Sequence, residues 1–234
     1  MMYNILISLN MIKENILKIR ERIALTCSRV NRDPGLITIV AVSKGRTPEQ
    51  IKQVIDSGIT DIGENKVQEA LVKYNEITSK RVNESRINWH MVGHLQTNKA
   101  KDAVRVFGLI HSVDSLHLAE EIDRQAGKIN KIQDILIEVK TSAEPTKFGL
   151  KPDEIFEVIK GIAELKNINL KGLMTIAPLL ANPEESRPYF SKLRKLRDKI
   201  NPTMVLSMGM TDDFELAIEE GATMVRIGRA IFEG

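Results

Sequence analysis

Short apolar runs alternate with amphipathic helical patterns along most of this chain, and that alternation constrains the fold more than any other feature. Strands that alternate with helices pair in parallel, and runs that are apolar on both faces are typical of strands covered on both sides. The candidate strands are residues 37–43, 60–63, 88–93, 107–113, 134–140, 170–176, 203–209 and 223–228. Eight such units in 234 residues predict a single (β/α)8 barrel, with a doubly wound open sheet as the structural alternative.

Local signals predict where helices begin and end. Thr47, followed by Pro48 and Gln50, has the form of a capping box with proline at the first helical position. Gly58 and Gly221 stand where two helices should stop. An extra helix precedes the first strand, because one apolar stripe recurs at spacings of three and four: Leu9, Ile12, Ile16, Ile19, Ile23, Cys27 and Val30.

Composition narrows the class of protein. Cys27 is the one cysteine, so no intrachain disulfide can form, and a reducing, cytoplasmic compartment is expected. We expect Cys27 to act as a small buried hydrophobic residue. The net charge is +3, with lysine and glutamate mixed along the chain, which does not favour nucleic-acid binding. No apolar stretch approaches the roughly 20 residues that span a membrane.

The loops after the seventh and eighth strands are the usual phosphate site of such a barrel. Gly209 and Gly228 would let the backbone approach an anion closely there, and both loops lead into predicted helices whose first amides are unpaired. Ser207 and Thr211 add hydroxyl donors. We therefore expect an anion at this end of the barrel.

Lys44 stands directly after the apolar first strand, in ITIVAVSK. A lysine in a mostly apolar pocket loses part of its preference for the charged form, and a neutral amine is what Schiff-base chemistry requires. Across from a phosphate site, this favours an imine with pyridoxal 5'-phosphate (PLP), with a Schiff-base aldolase as the nearest chemical rival. The alternatives are that Lys44 reaches solvent or pairs with Glu64.

Longer motifs extend across the barrel: VAVSKGRTPEQI, IGENKVQEA, WHMVGHLQTNK, TSAEPTKFGL, GLMTIAP and LSMGMTDDFELAIEEGATMVRIGRAIFEG. With these motifs the chain resembles the PLP homeostasis proteins, which are similar to the barrel domain of alanine racemase and other PLP proteins of fold type III. The resemblance covers essentially the whole chain. It implies that residues 1–234 form one PLP-binding (β/α)8 domain with an extra N-terminal helix and without the C-terminal β domain of the racemases.

The resemblance also implies roles for particular residues. Lys44 would form the imine with PLP, Asn65 would lie beside the pyridine ring, and Arg226 would face the pyridine nitrogen. The segments that hold the phosphate would contain Ser207, Met210, Thr211, Gly228 and Arg229. His90 and Met174 would line the pocket, although His90 could equally be a core histidine with satisfied hydrogen bonds. Lys140 stands where the family has asparagine, which puts any role of the fifth strand in doubt.

An arginine at the pyridine nitrogen disfavours its protonation and so weakens the ring as an electron sink. Racemases also use a tyrosine, whereas Tyr3, Tyr74 and Tyr189 fall on predicted helices. The resemblance therefore implies an intracellular PLP carrier in vitamin B6 homeostasis with little or no turnover, and the alternative is a low-activity amino-acid racemase. The expected partners are PLP and the PLP-dependent apo-enzymes that accept it, and we expect a cytoplasmic monomer with no metal, nucleic acid or membrane.

Overall fold

A closed barrel of parallel strands forms the centre of the molecule, which is a computed structural model that describes residues 2–79, 87–142, 144 and 148–234. In these residues the strands are β1 (Thr38–Val42), β2 (Asp61–Glu64), β3 (Asn88–Met91), β4 (Leu109–Val113), β5 (Gln133–Glu138), β6 (Ile168–Met174), β7 (Val205–Ser207) and β8 (Met224–Ile227). Each strand pairs with the next along the chain, and β8 pairs with β1. The predicted (β/α)8 barrel is confirmed, and the doubly wound sheet is wrong.

A helix follows each strand on the outside of the barrel. These helices are α2 (Pro48–Asp56), α3 (Val67–Ser79), α4 (Ala100–Val106), α5 (Leu116–Gly127), α6 (Ile155–Ala163), α7 (Arg187–Ile200), α8 (Phe214–Glu219) and α9 (Arg229–Phe232). The predicted capping box begins α2, since Gln50 N–H donates to Thr47 Oγ1 and Thr47 N–H donates to Gln50 Oε1. Gly58 and Gly221 follow α2 and α8 with positive φ angles of 83° and 98°, as expected of residues that end helices.

The predicted additional helix, α1 (Met2–Arg29), packs against α8 and α9 and against α2. Its apolar stripe is buried at Ile12, Ile16, Ile19, Ile23 and Cys27, while the side chain of Leu9 lies outside the described part of the chain. Asn15 Nδ2 donates to the carbonyl of Ile231 at 3.1 Å, which fixes α1 to the end of the barrel where β8 continues into α9. Cys27 is fully buried, as expected, and burial raises the pKa of its thiol.

The barrel interior contains an apolar cluster of Val40, Val92 and Met224, against which three half-buried residues pack: Val42, Leu109 and Val205. Because side chains alternate along a strand, Val40 and Val42 on the inner face place Lys44 toward the carboxyl-terminal mouth of the barrel. No helix among the described residues is long and apolar enough to cross a membrane.

Candidate functional site

A cavity of about 490 Å³ opens at the carboxyl-terminal ends of the strands. This volume is ordinary for a small-molecule site. Most of the predicted site residues line it: Lys44, Asn65, Met210, Thr211, Arg226, Gly228 and Arg229. The other three predicted residues, His90, Met174 and Ser207, are buried and are not in the cavity wall. The departure Lys140 is also not in the wall.

Lys44 lies in a turn just beyond β1, where its side chain is exposed to the cavity and to solvent. The structure therefore shows the alternative in which Lys44 reaches solvent, and the burial of this lysine is wrong. The strand itself is buried, but the chain has already left it at Ser43, which is the last fully buried residue before the turn. Pairing with Glu64 is also wrong, because that carboxylate accepts a hydrogen bond from Lys73 at 2.6 Å.

Lys73, on α3, joins the elements that surround the Lys44 turn. Its Nζ donates to the carbonyl of Ser43 at 2.6 Å, to Glu64 Oε1 at 2.6 Å and to Glu69 Oε1 at 2.7 Å. Glu69 Oε1 in turn accepts a hydrogen bond of 2.6 Å from Gly45 N–H. These bonds hold the peptide groups on both sides of Lys44. Burial raises the pKa of Glu64, although hydrogen bonds from Lys73 and Ser43 oppose the shift.

The loops after β7 and β8 present backbone donors to the cavity. Among the described residues, the amides of Thr211, Asp212, Gly228 and Arg229 find no hydrogen-bond acceptor. A Cβ on Gly228 would come within 3.2 Å of the carbonyl of Val42, so a side chain there would press on the end of β1. This group of unpaired donors suits an anion.

Gly209 and Asp213 shape the first of these loops. Gly209 has a φ of 89°, and a Cβ there would lie 2.5 Å from Cβ of Ala217. Asp213 Oδ1 accepts a hydrogen bond of 2.7 Å from Met210 N–H. The exposed guanidinium of Arg229 binds Asp212. Arg229 therefore points to a neighbouring carboxylate on the rim, not toward the loop amides.

Arg226 is the buried cation of the site. Its Nη1 donates to Ser207 Oγ at 2.7 Å, and its Nη2 donates to the carbonyl of Thr175 at 2.9 Å. Burial lowers the pKa of Arg226 to about 10, against the opposing charges of Glu138 and Asp213. We expected the Ser207 hydroxyl to face a phosphate in the cavity. It does not, because it lies between Arg226 and His111 in the interior.

The expectation that His90 lines the pocket is not supported, because both of its ring nitrogens have partners in the interior. Nδ1 lies 2.9 Å from His111 Nε2, and Nε2 lies 3.0 Å from Asp61 Oδ1. The structure thus places His90 as the core histidine of the second alternative. Sequence reasoning missed His111, for which no partner pattern is visible along the chain.

Sequence reasoning also missed the apolar wall and the outer rim of the cavity. The wall is formed by Val42, Val92, Ile176 and Leu179. At the rim, Arg46 binds the carboxylate of Glu233, the penultimate residue of the sequence. The alternation of side chains along a strand could have identified Val42 and Val92, because they lie two positions after Val40 and His90 on the inner face of the barrel.

Comparison with known proteins agrees with this geometry. Residues 7–234 match the family model described as alanine racemase, N-terminal domain. The chain is similar to the pyridoxal phosphate homeostasis protein of Aquifex aeolicus, with 44% identity over 224 residues that cover 94% of this chain and 96% of the relative.

Two solved structures share the fold and much of the sequence. A protein of Bifidobacterium adolescentis, described as unknown, superposes with a TM-score of 0.90 at 36% identity and covers 96% of both chains. PipY of Synechococcus elongatus, solved with PLP bound, gives a TM-score of 0.79 at 35% identity, covering 92% of this chain and 99% of PipY.

Proposed function

The chain belongs to the alanine racemase N-terminal domain family and, within it, to the pyridoxal phosphate homeostasis proteins; from this premise we propose that it binds PLP at the barrel mouth and acts in PLP homeostasis. The observation that carries the proposal is one cavity lined by Lys44, by Arg226 and by the unpaired amides of the two adjacent loops. The family match over residues 7–234 supports treating the whole chain as one PLP-binding domain.

Lys44 is the residue that we propose to hold PLP covalently. When bound, PLP would supply an aldehyde, with which the primary amine of Lys44 would form an imine with release of water. Lys44 is exposed to the cavity, while the turn that carries it is fixed by Lys73 and Glu69. An accessible amine on a fixed backbone is what such a reaction requires of the protein.

The phosphate of PLP is assigned to the loops after β7 and β8. The unpaired amides of Thr211, Asp212, Gly228 and Arg229 supply hydrogen-bond donors for the negatively charged phosphate. Met210 borders the same loop. Following the family resemblance, we assign Arg226 to the pyridine side and Asn65 to a position beside the ring; both lie in the same cavity wall as Lys44.

Several features support a protein that carries PLP and does not use it for catalysis. Racemisation needs an acid–base group on each face of the substrate Cα. His90 is committed to Asp61 and His111 in the interior. Asp212 and Glu233, the carboxylates among the described residues of the cavity wall, are each paired with an arginine. We therefore propose a carrier that gives PLP to dependent apo-enzymes, not a racemase.

The test is exchange of amino-acid Cα hydrogen in deuterated water. Wild-type protein loaded with PLP is expected to show the visible absorption band of bound PLP. It is expected to exchange the Cα hydrogen of alanine no faster than free PLP does. The same measurement on Lys44→Ala gives the background, and Lys66→Ala, which changes an exposed lysine after β2, is the matched control. Fast exchange in wild type that disappears in Lys44→Ala would make the protein an enzyme, and the absence of a bound-PLP band would remove the binding proposal.

A further inference from the structure

A continuous chain of hydrogen bonds crosses the barrel interior and ends on Arg226. Asp61 Oδ1 lies 3.0 Å from His90 Nε2, and His90 Nδ1 lies 2.9 Å from His111 Nε2. His111 Nδ1 lies 2.9 Å from Ser207 Oγ, which accepts a hydrogen bond of 2.7 Å from Arg226 Nη1. We call these five residues the interior chain.

The interior chain runs the length of the barrel. Asp61 is the first residue of β2, at the amino-terminal end, whereas Ser207 is the last residue of β7 and Arg226 lines the cavity at the other end. Asp61 is half-buried, with 22% of its side chain exposed, and the other four residues are buried. One end therefore touches solvent and the other end reaches the proposed cofactor site.

Burial of such a polar chain costs free energy of folding unless every buried polar atom has a hydrogen-bond partner. Barrels of this kind commonly fill their interior with branched apolar side chains, as Val40 and Val92 do here. Among the described residues, no fully buried side-chain nitrogen or oxygen atom of the interior chain lacks a hydrogen-bond partner. A packing role alone would be served by apolar residues.

The direction of the hydrogen bonds follows from the chemistry of the two ends. Arg226 can only donate, so Ser207 Oγ accepts. Burial holds the pKa of His111 well below its ordinary value, with the charges of His90 and Arg226 adding to the shift, so the His111 ring is neutral. The pKa of Asp61 is lowered: burial raises it, but His90 together with hydrogen bonds from Asn88 and Thr60 outweighs burial. Asp61 is therefore an acceptor.

If each ring carries one hydrogen, a single arrangement satisfies every contact along the chain. The Ser207 hydroxyl donates to His111 Nδ1, His111 Nε2–H donates to His90 Nδ1, and His90 Nε2–H donates to the Asp61 carboxylate. All the hydrogen atoms then point from Arg226 toward Asp61, and each bond polarises the next. The acceptors that Arg226 touches, Ser207 Oγ and the carbonyl of Thr175, are neutral. The carboxylates of Glu138 and Asp213 act on it through space.

We infer that Asp61, His90 and His111 are positioning residues, which hold Arg226 through Ser207 in the orientation that faces the pyridine side of PLP. This inference deepens the proposed function and rests on it. Without the Asp61 carboxylate, His90 Nε2–H has no acceptor, so the two rings and the Ser207 hydroxyl are free to turn. Arg226 then loses a fixed acceptor although no residue of the cavity wall has changed.

The first test follows the histidine rings by nitrogen-15 NMR in the full-length protein without PLP. His111 is expected as a neutral ring with hydrogen on Nε2, and Asp61→Ala is expected to shift the ring signals of His111 as well as those of His90. Asp134→Ala is the matched control, because Asp134 likewise accepts from an asparagine on the next strand but has no histidine partner among the described residues. Hydrogen on His111 Nδ1, or His111 signals unchanged by Asp61→Ala, would overturn the inference.

The second test measures the bound cofactor. Asp61→Ala is expected to weaken PLP binding about tenfold, the size of roughly one lost hydrogen bond, and to move the visible absorption maximum. Asp61→Asn keeps an acceptor for His90 and is expected to restore most of both properties, while Asp134→Ala should match wild type. Wild type that binds PLP alongside an unaffected Asp61→Ala would refute the positioning role and leave the proposed function standing. Wild type that fails to bind PLP would refute both.

Discussion

His111 shows how the barrel interior sets the behaviour of a single side chain. The ring is fully buried, and burial is the main reason that its pKa lies well below 6.5. Its neutral form is stabilised by two hydrogen bonds of 2.9 Å, to His90 and to Ser207. The folded protein therefore resists a protonation that the unfolded chain accepts readily.

This difference predicts how stability depends on pH. Below pH 6.5 the unfolded chain gains a proton at His111 and the folded protein does not, so the free energy of unfolding falls as pH drops, by at most about 1.4 kcal/mol per pH unit from this group. His111→Gln is expected to make that fall shallower, as measured by urea unfolding at a series of pH values. His117→Gln, which alters an exposed histidine on α5, should keep the wild-type slope. Equal slopes for wild type and His111→Gln would contradict the prediction.

At the scale of elements, α3 is attached to the ends of β1 and β2 by one buried ammonium group. Only 7% of the Lys73 side chain is exposed, and its partner Glu64 is fully buried. A buried ion pair contributes little net stability compared with apolar residues, but removal of one partner leaves the other charge without compensation. The same bonds fix the turn of Lys44, so stability and the site depend on one contact.

Lys73→Met is therefore expected to lower the free energy of unfolding by about 3–5 kcal/mol at neutral pH. Lys52→Met is the matched control, since Lys52 forms an i,i+4 pair with Asp56 in which more than half of each side chain is exposed. An exposed pair of this kind contributes no more than about 0.5 kcal/mol. The urea midpoints of the two variants measure the contrast, and equal losses would show that Lys73 is not a buried anchor.

At the scale of the whole molecule, the barrel could be predicted from the alternation of strands and helices, and the site from its strand ends. The parallel strands of a barrel all end at one mouth. Residues as distant in sequence as Lys44 and Gly228 can therefore be placed in one site from their positions at strand ends alone. The interior chain could not be predicted in this way. His111 and Ser207 are 96 positions apart, and their contact depends on the diameter and register of the closed barrel.

The sequence left the exposure of Lys44 open for a related reason. The apolar run ITIVAV predicts a buried strand correctly, but the sequence does not show at which residue the chain leaves the barrel. Ser43 stays inside and Lys44 lies outside, a difference of one residue. Ser207 illustrates the opposite error, since it ends β7 yet turns inward to Arg226.

Borohydride reduction of the PLP-loaded protein tests most directly whether Lys44 holds PLP at the barrel mouth. The reduced protein is analysed by intact mass and peptide mapping. We expect a single reduced PLP adduct per chain, on the peptide that contains Lys44, lost in Lys44→Ala and retained in Lys66→Ala. A reduced adduct on Lys66 or Lys99, or one that persists in Lys44→Ala, would contradict the account.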